Sequence, residues 1–211
     1  MTVSWSHPGG KLLEVGARSL KQAELLAILI GTGIRGRSAL DIANDVLDHF
    51  GGIFAIYRHM TWYSPQKALN DLLRIRGLGQ RKALRILAAV DIGYRVYRTI
   101  HHEQYCTARM RERPPVLFAL PELRRCGCPP QTRLLTEMDD AALLAAIIAP
   151  GVRGHTAQDI ARVLLERFGS IRGLFGRDMG DFLTVQGLNT VKIIRLAAGL
   201  EVARRIMRGL A

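Results

Sequence analysis

The sequence predicts an all-α fold, written twice. Three observations carry that expectation. Apolar residues recur at helical spacing, no segment alternates as a half-buried strand would, and one stretch returns 118 residues further on. Gly33-Ile34-Arg35-Gly36-Arg37-Ser38-Ala39-Leu40-Asp41-Ile42-Ala43 comes back as Gly151-Val152-Arg153-Gly154-His155-Thr156-Ala157-Gln158-Asp159-Ile160-Ala161. The match runs on through Val46 to Gly51 and Leu164 to Gly169. Upstream, Lys11-Leu12-Leu13 pairs with Arg133-Leu134-Leu135. Downstream, Leu73 to Gly79 pairs with Leu183 to Asn189 at an offset of 110, which leaves about eight extra residues in the first copy near Thr61 to Ala68.

Each helix can be justified in turn. Glu24 to Ile30 is apolar, rich in good helix formers, and stops at Gly31. Ser38 caps the next helix, with Asp41 three residues on, where an acid suits the helix dipole. Ala39, Ile42, Ala43, Val46 and Leu47 share one face of it, and Gly51-Gly52 ends it. Ala68 to Arg74 gives a further turn or two. Gln80 to Arg98 then sets Ala83, Ile86, Leu87, Val90, Tyr94 and Tyr97 at helical spacing.

Between the last two segments stands the most informative signature, Ile75-Arg76-Gly77-Leu78-Gly79-Gln80-Arg81-Lys82-Ala83. An apolar residue, a Gly-x-Gly and a basic helix start describe a helix-hairpin-helix. Glycine allows the tight turn and lets backbone N–H groups come close to a phosphate. Those N–H groups open a helix, where free donors and the dipole favour an anion. Arg76, Arg81 and Lys82 add charge, Gln80 sits among them, and Leu78 is expected to bury in the hairpin. Such a contact reads backbone and not bases. A plain αα-turn with a glycine cap would carry the same glycines. The second copy spells this turn Gly187-Leu188-Asn189-Thr190-Val191-Lys192, keeping Gly187 and Lys192 but losing the second glycine and Arg81. The expected architecture is two tandem paired helix-hairpin-helix bundles, residues 1–98 and 133–211, joined by a Pro- and Cys-containing linker, 99–132.

Gly31-Thr32-Gly33-Ile34-Arg35-Gly36-Arg37-Ser38 imitates a nucleotide-binding loop. It fits Gly-x-Gly-x-x-Gly and misses a P-loop only by Arg37 in place of lysine. Both readings need a preceding strand, and the context here is helical. A wider turn between helices serves both copies. It makes Gly33, Arg35, Gly36, Arg37 and Ser38, with Arg153, Gly154 and Thr156 in the second copy, a further pair of phosphate-facing helix starts.

Composition points the same way. Thirty Lys+Arg against 18 Asp+Glu give a formal charge of +12 among 211 residues. Such an excess attracts polyanions, with nucleic acid the commonest in a cell. The first copy holds 14 basic and 7 acidic residues and the second 11 and 8, so the charge leans toward copy one. No apolar stretch suits a membrane span and Met1 to Gly10 has no signal-peptide core, so a cytoplasmic protein is expected. Cys106, Cys126 and Cys128 are an odd number, against a disulfide framework, and neither Cys126-Gly127-Cys128 nor His101-His102 has a second pair at zinc spacing. No metal or other cofactor is expected. Arg109, Arg111 and Arg113 read as a solvated basic patch.

Lys11-Leu12-Leu13-Glu14, Ala23 to Leu29, Gly31-Thr32-Gly33, Arg35-Gly36, Ser38-Ala39 and the Gly77-x-Gly79 hairpin together resemble the N-terminal domain of bacterial RadC proteins. The likeness covers most of residues 8–98 and, in degenerate form, 133–208. It implies a paired helix-hairpin-helix bundle, a role in DNA repair or processing, and a phosphate-contact role for Gly77, Gly79 and their neighbours. RadC proteins usually continue into a metalloprotease-like domain with a His-x-His, and nothing in this sequence matches it. The expectation is therefore a non-catalytic, sequence-independent DNA binder, with a homodimer or protein partner also open. Two other classes fit less of the sequence. A helix-hairpin-helix glycosylase or nuclease would need Lys82 and Asp91 as its chemistry, and a protein-interaction module would use the charge only for solubility.

Overall fold

A computed structural model describes residues 7–108 and 138–211, the side chains of 101–108 apart. Residues 109–137 hold most of the expected linker, Arg109, Arg111, Arg113, Cys126, Cys128 and Arg133 to Leu135, and these lie outside the described residues, as do the side chains of Cys106 and the His101-His102 pair. Among the described residues the chain is all-α, with no strand. The first copy supplies α1 (Pro8–Val15), a 3-10 turn (Ala17–Ser19), α2 (Gln22–Ile30), α3 (Ala39–Phe50), α4 (Ile53–Trp62), α5 (Pro65–Leu73) and α6 (Gln80–Ala108). The second supplies α7 (Asp140–Ile148), α8 (Ala157–Phe168), a 3-10 turn (Arg172–Leu174), α9 (Met179–Leu183) and α10 (Thr190–Leu210).

The duplicated stretch folds identically in both places. Ser38 accepts a hydrogen bond from the Asp41 amide while Asp41 accepts from the Ser38 amide, closing a capping box at the head of α3. Thr156 and Asp159 do the same at the head of α8. Each helix then runs twelve residues, burying Ile42, Ala43 and Val46 or Ile160, Ala161 and Leu164, and ends at a glycine of positive φ. A four-residue turn precedes each, closed by reciprocal bonds between Ile34 and Arg37 or Val152 and His155.

The copies differ where copy one has its extra residues. There α4 takes ten residues, where copy two has a single 3-10 turn. Sequence periodicity does not single out α4, because Phe54, Tyr57, Thr61 and Trp62 are weak helix formers and Gly52 offers no side chain as a cap; the Ile53 amide donates instead to Gln22, 31 residues earlier. Tertiary burial of Ile53, Ile56 and Met60 holds it instead. The last helix of copy one also continues past Arg98 to Ala108, into the span expected as linker.

The two copies share one hydrophobic core, in which α6 and α10 pack together and equivalent residues meet along a pseudo-two-fold axis. The 110-residue offset maps Gly93 onto Ala203, and these two residues meet. A Cβ on Gly93 would stand 2.6 Å from the Ala203 carbonyl oxygen and 2.9 Å from its Cα. Nearer the helix starts the same offset maps Arg85 onto Arg195, and both guanidiniums donate to one acceptor, the carbonyl of Ala149, at 2.9 and 2.7 Å. Toward the other end the Tyr97 hydroxyl donates to the Leu210 carbonyl. The two long helices therefore run in the same sense, and their N-termini lie at one end of the molecule. Arg205 ties the copies further by donating to the Leu20 carbonyl at 2.6 Å while its Nε and Arg204 hold the buried Glu201 carboxylate. Those two guanidiniums outweigh the burial that would raise Glu201, and its pKa is lowered.

Candidate nucleic-acid interface

Both hairpins follow one plan up to a single position. Leu72 and Ile75 carbonyls close the turn on the Ile75 and Leu78 amides, and in copy two Phe182 and Val185 do so for Val185 and Leu188. Leu78 and Leu188 are buried between the helices. Gly77 has φ +99, and a side chain there would strike the Ile42 Cδ1 at 2.6 Å, so both the turn and the contact with α3 demand glycine. Gly187 stands in the same way against Ile160.

Gly79 is different. Its φ is not positive, and a Cβ added to it would meet nothing within 4 Å. Neither backbone strain nor packing asks for glycine. What the missing side chain leaves is an open approach to the head of α6, where the amides of Gly79, Gln80 and Arg81 have no acceptor among the described residues. Gly79, Gln80 and Arg81 are exposed, and so is Arg76 before the turn. In copy two the equivalent residue is Asn189, whose carboxamide oxygen turns back to accept from the Lys192 amide at 3.0 Å. That carboxamide stands over the start of α10 and caps its Lys192 amide, while the Asn189, Thr190 and Val191 amides have no acceptor among the described residues, and Val191, 60% exposed, stands in place of Arg81.

The two lysines expected at phosphate are engaged elsewhere. Lys82 Nζ donates to the Thr32 carbonyl at 2.6 Å and the Gly77 carbonyl at 3.0 Å. Lys192, buried, donates to the Gly187 carbonyl at 2.9 Å. Burial, then the neighbouring Arg85 or Arg195, lowers the pKa of each. Each ammonium fastens its own hairpin shut, a role invisible in the sequence because a lysine serves either purpose.

The wider turns also differ from expectation in detail. Arg35 and Gly36, with Arg153 and Gly154, are exposed at the turn tips. Arg37 is spent on Asp45 and the Arg76 carbonyl, so it braces the turn against the hairpin. Gly33 lies under the Arg37 carbonyl, where a Cβ would not fit. Ser38 and Thr156 cap α3 and α8, and the carboxylates of Asp41 and Asp159, both held below their ordinary pKa by those same hydrogen bonds, fill the helix starts. An anion approaching there meets a negative charge already in place.

Sequence reasoning missed Arg85 and Arg195, although the 110-residue offset keeps an arginine at both. They sit on the pseudo-axis between the hairpins, over the C-terminal ends of α2 and α7, where Arg85 also reaches the Leu29 carbonyl at 3.4 Å. Burial chiefly, then Arg195 and Arg81, brings Arg85 down to about 10, which leaves it charged at neutral pH. Favourable placement of cations at helix C-termini accounts for the pair. Lys82 and Asp91, the pair a glycosylase or nuclease would use, are not brought together. Asp91 is ion-paired with Arg95 at 2.9 Å, and it lies nine residues along α6 from Lys82, roughly 13 Å of helix rise. Among the described residues no three His, Cys, Asp or Glu side chains group as metal ligands, and no helix is long and apolar enough to cross a membrane.

A small helical module duplicated around a shared axis, with one open hairpin, is the class these features define. The chain belongs to the UPF0758 N-terminal family, whose profile matches residues 4–84 and 130–194, one stretch in each copy. It is 43% identical over 90 residues to a UPF0758 protein of Staphylococcus haemolyticus, covering 43% of this chain and 36% of that one. It is 37% identical over 98 residues to the UPF0758 protein YsxA of Bacillus subtilis, covering 46% and 39%. The chain therefore spans little more than a third of the length of these relatives. No solved structure matches it.

Proposed function

We propose that the protein is a sequence-independent DNA-binding protein of the RadC type, acting in DNA repair or processing, and that the copy-one helix-hairpin-helix is its principal phosphate contact. The observation that carries this reading is the open head of α6: three unpaired amides at Gly79, Gln80 and Arg81, flanked by exposed Arg76 and Arg81, with no side chain at position 79 to fill the space. A helix start of this kind accepts a phosphate oxygen through its donors and its dipole. The +12 charge supplies long-range attraction. Arg35, Gly36, Arg153 and Gly154 at the exposed turn tips are secondary contacts in this reading, and the self-capped hairpin of copy two serves mainly as a packing partner.

The test is fluorescence anisotropy with two duplexes of unrelated sequence between about 50 and 200 mM salt. Affinity should be equal for both sequences and fall steeply with salt, because each neutralised phosphate releases counterions. Arg81→Gln should lower the slope of log affinity against log salt by about one. Affinity that is flat across the series, or absent at low salt, overturns the reading in favour of a protein-interaction module.

A further inference from the structure

The eight extra residues of copy one end α4 and begin α5, and they bring two aromatic rings into solvent. Trp62 is 67% exposed and Tyr63 64%, the most exposed large apolar side chains among the described residues. Cations surround them. The Arg58 guanidinium lies 4.1 Å over the Trp62 ring, Lys67 Nζ lies 6.0 Å from the Tyr63 ring, and Arg74 is 76% exposed at the far end of α5. Asp71 is buried and pairs with Lys67 and Arg74 as well as His59, so one carboxylate is shared among these groups, Arg58 has no ion pair among the described residues, and the patch keeps a net positive charge. Copy two has a 3-10 turn in this place and no such patch.

Two exposed rings among three cations with one carboxylate between them match the chemistry of an unpaired nucleotide: a flat base to stack and a phosphate to neutralise. A hydrophobic partner surface would not call for the charges, and a duplex would not offer the ring faces. The position fits as well. α5 is nine residues long, about 13 Å of rise, and runs from Trp62-Tyr63 straight into the Gly77-x-Gly79 hairpin. That separation is one a strand held by phosphate at the hairpin can bridge in a few nucleotides. We infer that Trp62 and Tyr63 form a stacking platform for unpaired bases, so that the DNA this protein prefers carries a single-stranded segment beside the phosphates held by copy one. This rests on the reading proposed above and narrows it.

The experiment measures affinity for a 12-nucleotide oligothymidine and for a blunt 12-base-pair duplex at one fixed salt. Four proteins are compared: wild type, Trp62→Ala with Tyr63→Ala, Trp62→Phe with Tyr63→Phe, and Arg81→Gln. Circular dichroism checks that each is folded, as exposed side chains allow. The alanine pair should bind the single strand at least about tenfold more weakly, in line with stacking losses per base, and the duplex within about twofold of wild type. The phenylalanine pair should keep most of the single-strand affinity. In a Trp5→Phe background, where Trp62 is the one tryptophan left, its fluorescence should be quenched by oligothymidine. Unchanged single-strand affinity in the alanine pair, with Arg81→Gln still weakened on duplex, overturns the platform and leaves the hairpin reading standing, the patch then serving a protein or membrane. Binding of neither DNA by wild type removes both readings.

Discussion

Gly79→Asn transplants the copy-two cap into copy one, and it should pull stability and binding in opposite directions. The backbone at position 79 is one that asparagine adopts, and its Cβ would meet nothing within 4 Å. Asn189 shows the expected result: its carboxamide oxygen accepts from the amide three residues on, at 3.0 Å. Asparagine is a better N-cap than glycine by a few tenths of a kcal/mol, and removing glycine from the unfolded chain adds about 0.4–1 kcal/mol. Together these should raise the melting temperature by about 1–5 °C in a chain of this size. The same carboxamide would occupy the place an incoming phosphate oxygen needs. Losing one hydrogen bond to a charged group costs about 1.5–3 kcal/mol, so DNA affinity should fall by roughly ten- to 150-fold. Thermal melting by circular dichroism and anisotropy at one salt concentration read the two effects on the same protein. Raised stability with unchanged affinity would refute the phosphate role of this helix start. A fall in stability would refute the claim that glycine is unnecessary to the fold there.

Gly93→Ala should lower the melting temperature. Helix propensity gains about 1 kcal/mol, but the new methyl meets backbone of α10 at 2.6–2.9 Å, and overpacking costs about 1–3 kcal/mol, while Gly180→Ala, with open space around it, should be neutral or slightly stabilising. A rise for Gly93→Ala in the same melts would show that the copies do not meet at this point. Lys82→Met should cost about 1–2 kcal/mol by leaving the Thr32 and Gly77 carbonyls without their donor, and it should lower DNA affinity less than Arg81→Gln does. Equal affinity losses would place the Lys82 charge at the phosphate after all. For Asp71, burial alone would raise the pKa from its ordinary 3.8, but the Lys67 and His59 hydrogen bonds and charges bring it below that value. A carboxyl depressed in the folded state stabilises fully above its unfolded pKa and loses that contribution as pH falls. The melting-temperature gap between wild type and Asp71→Asn should therefore narrow below about pH 4, and a gap that is constant from pH 7 to pH 3 would exclude this role.

The fold class and the duplicated element could be read from sequence because they rest on local rules. Ser38 with Asp41 and Thr156 with Asp159 spell a capping box, Gly51 ends a helix, and apolar spacing marks one face; the structure keeps each of these. The pseudo-axis could not be read that way. It depends on Gly93 meeting Ala203 and on two arginines sharing the Ala149 carbonyl, contacts between residues 110 apart and between residues 46 and 64 apart. The hairpin site was half visible. Gly77 and Leu78 are fixed by the turn, which sequence specifies. The fates of Lys82, Lys192, Arg37 and Ser38 are decided by which carbonyl or carboxylate tertiary packing brings within reach, and a basic residue beside a helix start looks the same whether it faces a phosphate or a neighbouring turn.

On the proposed reading, the duplication lets two positions, 79 with 189 and 81 with 191, divide the labour of the two copies. The pseudo-symmetry sets the heads of α6 and α10 at one end of the molecule, with Arg85 and Arg195 between them, so one face presents both hairpins. A perfect repeat would offer two equal helix starts. Here no side chain stands over the first start at Gly79, the Asn189 carboxamide stands over the second, and Arg81 stands where Val191 does. The shared features, Gly77 and Gly187 against Ile42 and Ile160, with Lys82 and Lys192 on their own carbonyls, are those that make the hairpin fold. The differing ones add nothing to the fold in copy one and complete the cap in copy two. Asn189→Gly should accordingly reopen the second helix start at a small cost in stability, and Val191→Arg with it should add a second phosphate contact. In an anisotropy salt series that double variant should bind duplex more tightly than wild type, with a slope steeper by about one. An unchanged slope in a folded protein would mean that the second hairpin does not face the DNA, and with it would go the claim that the pseudo-axis places both hairpins on one binding face.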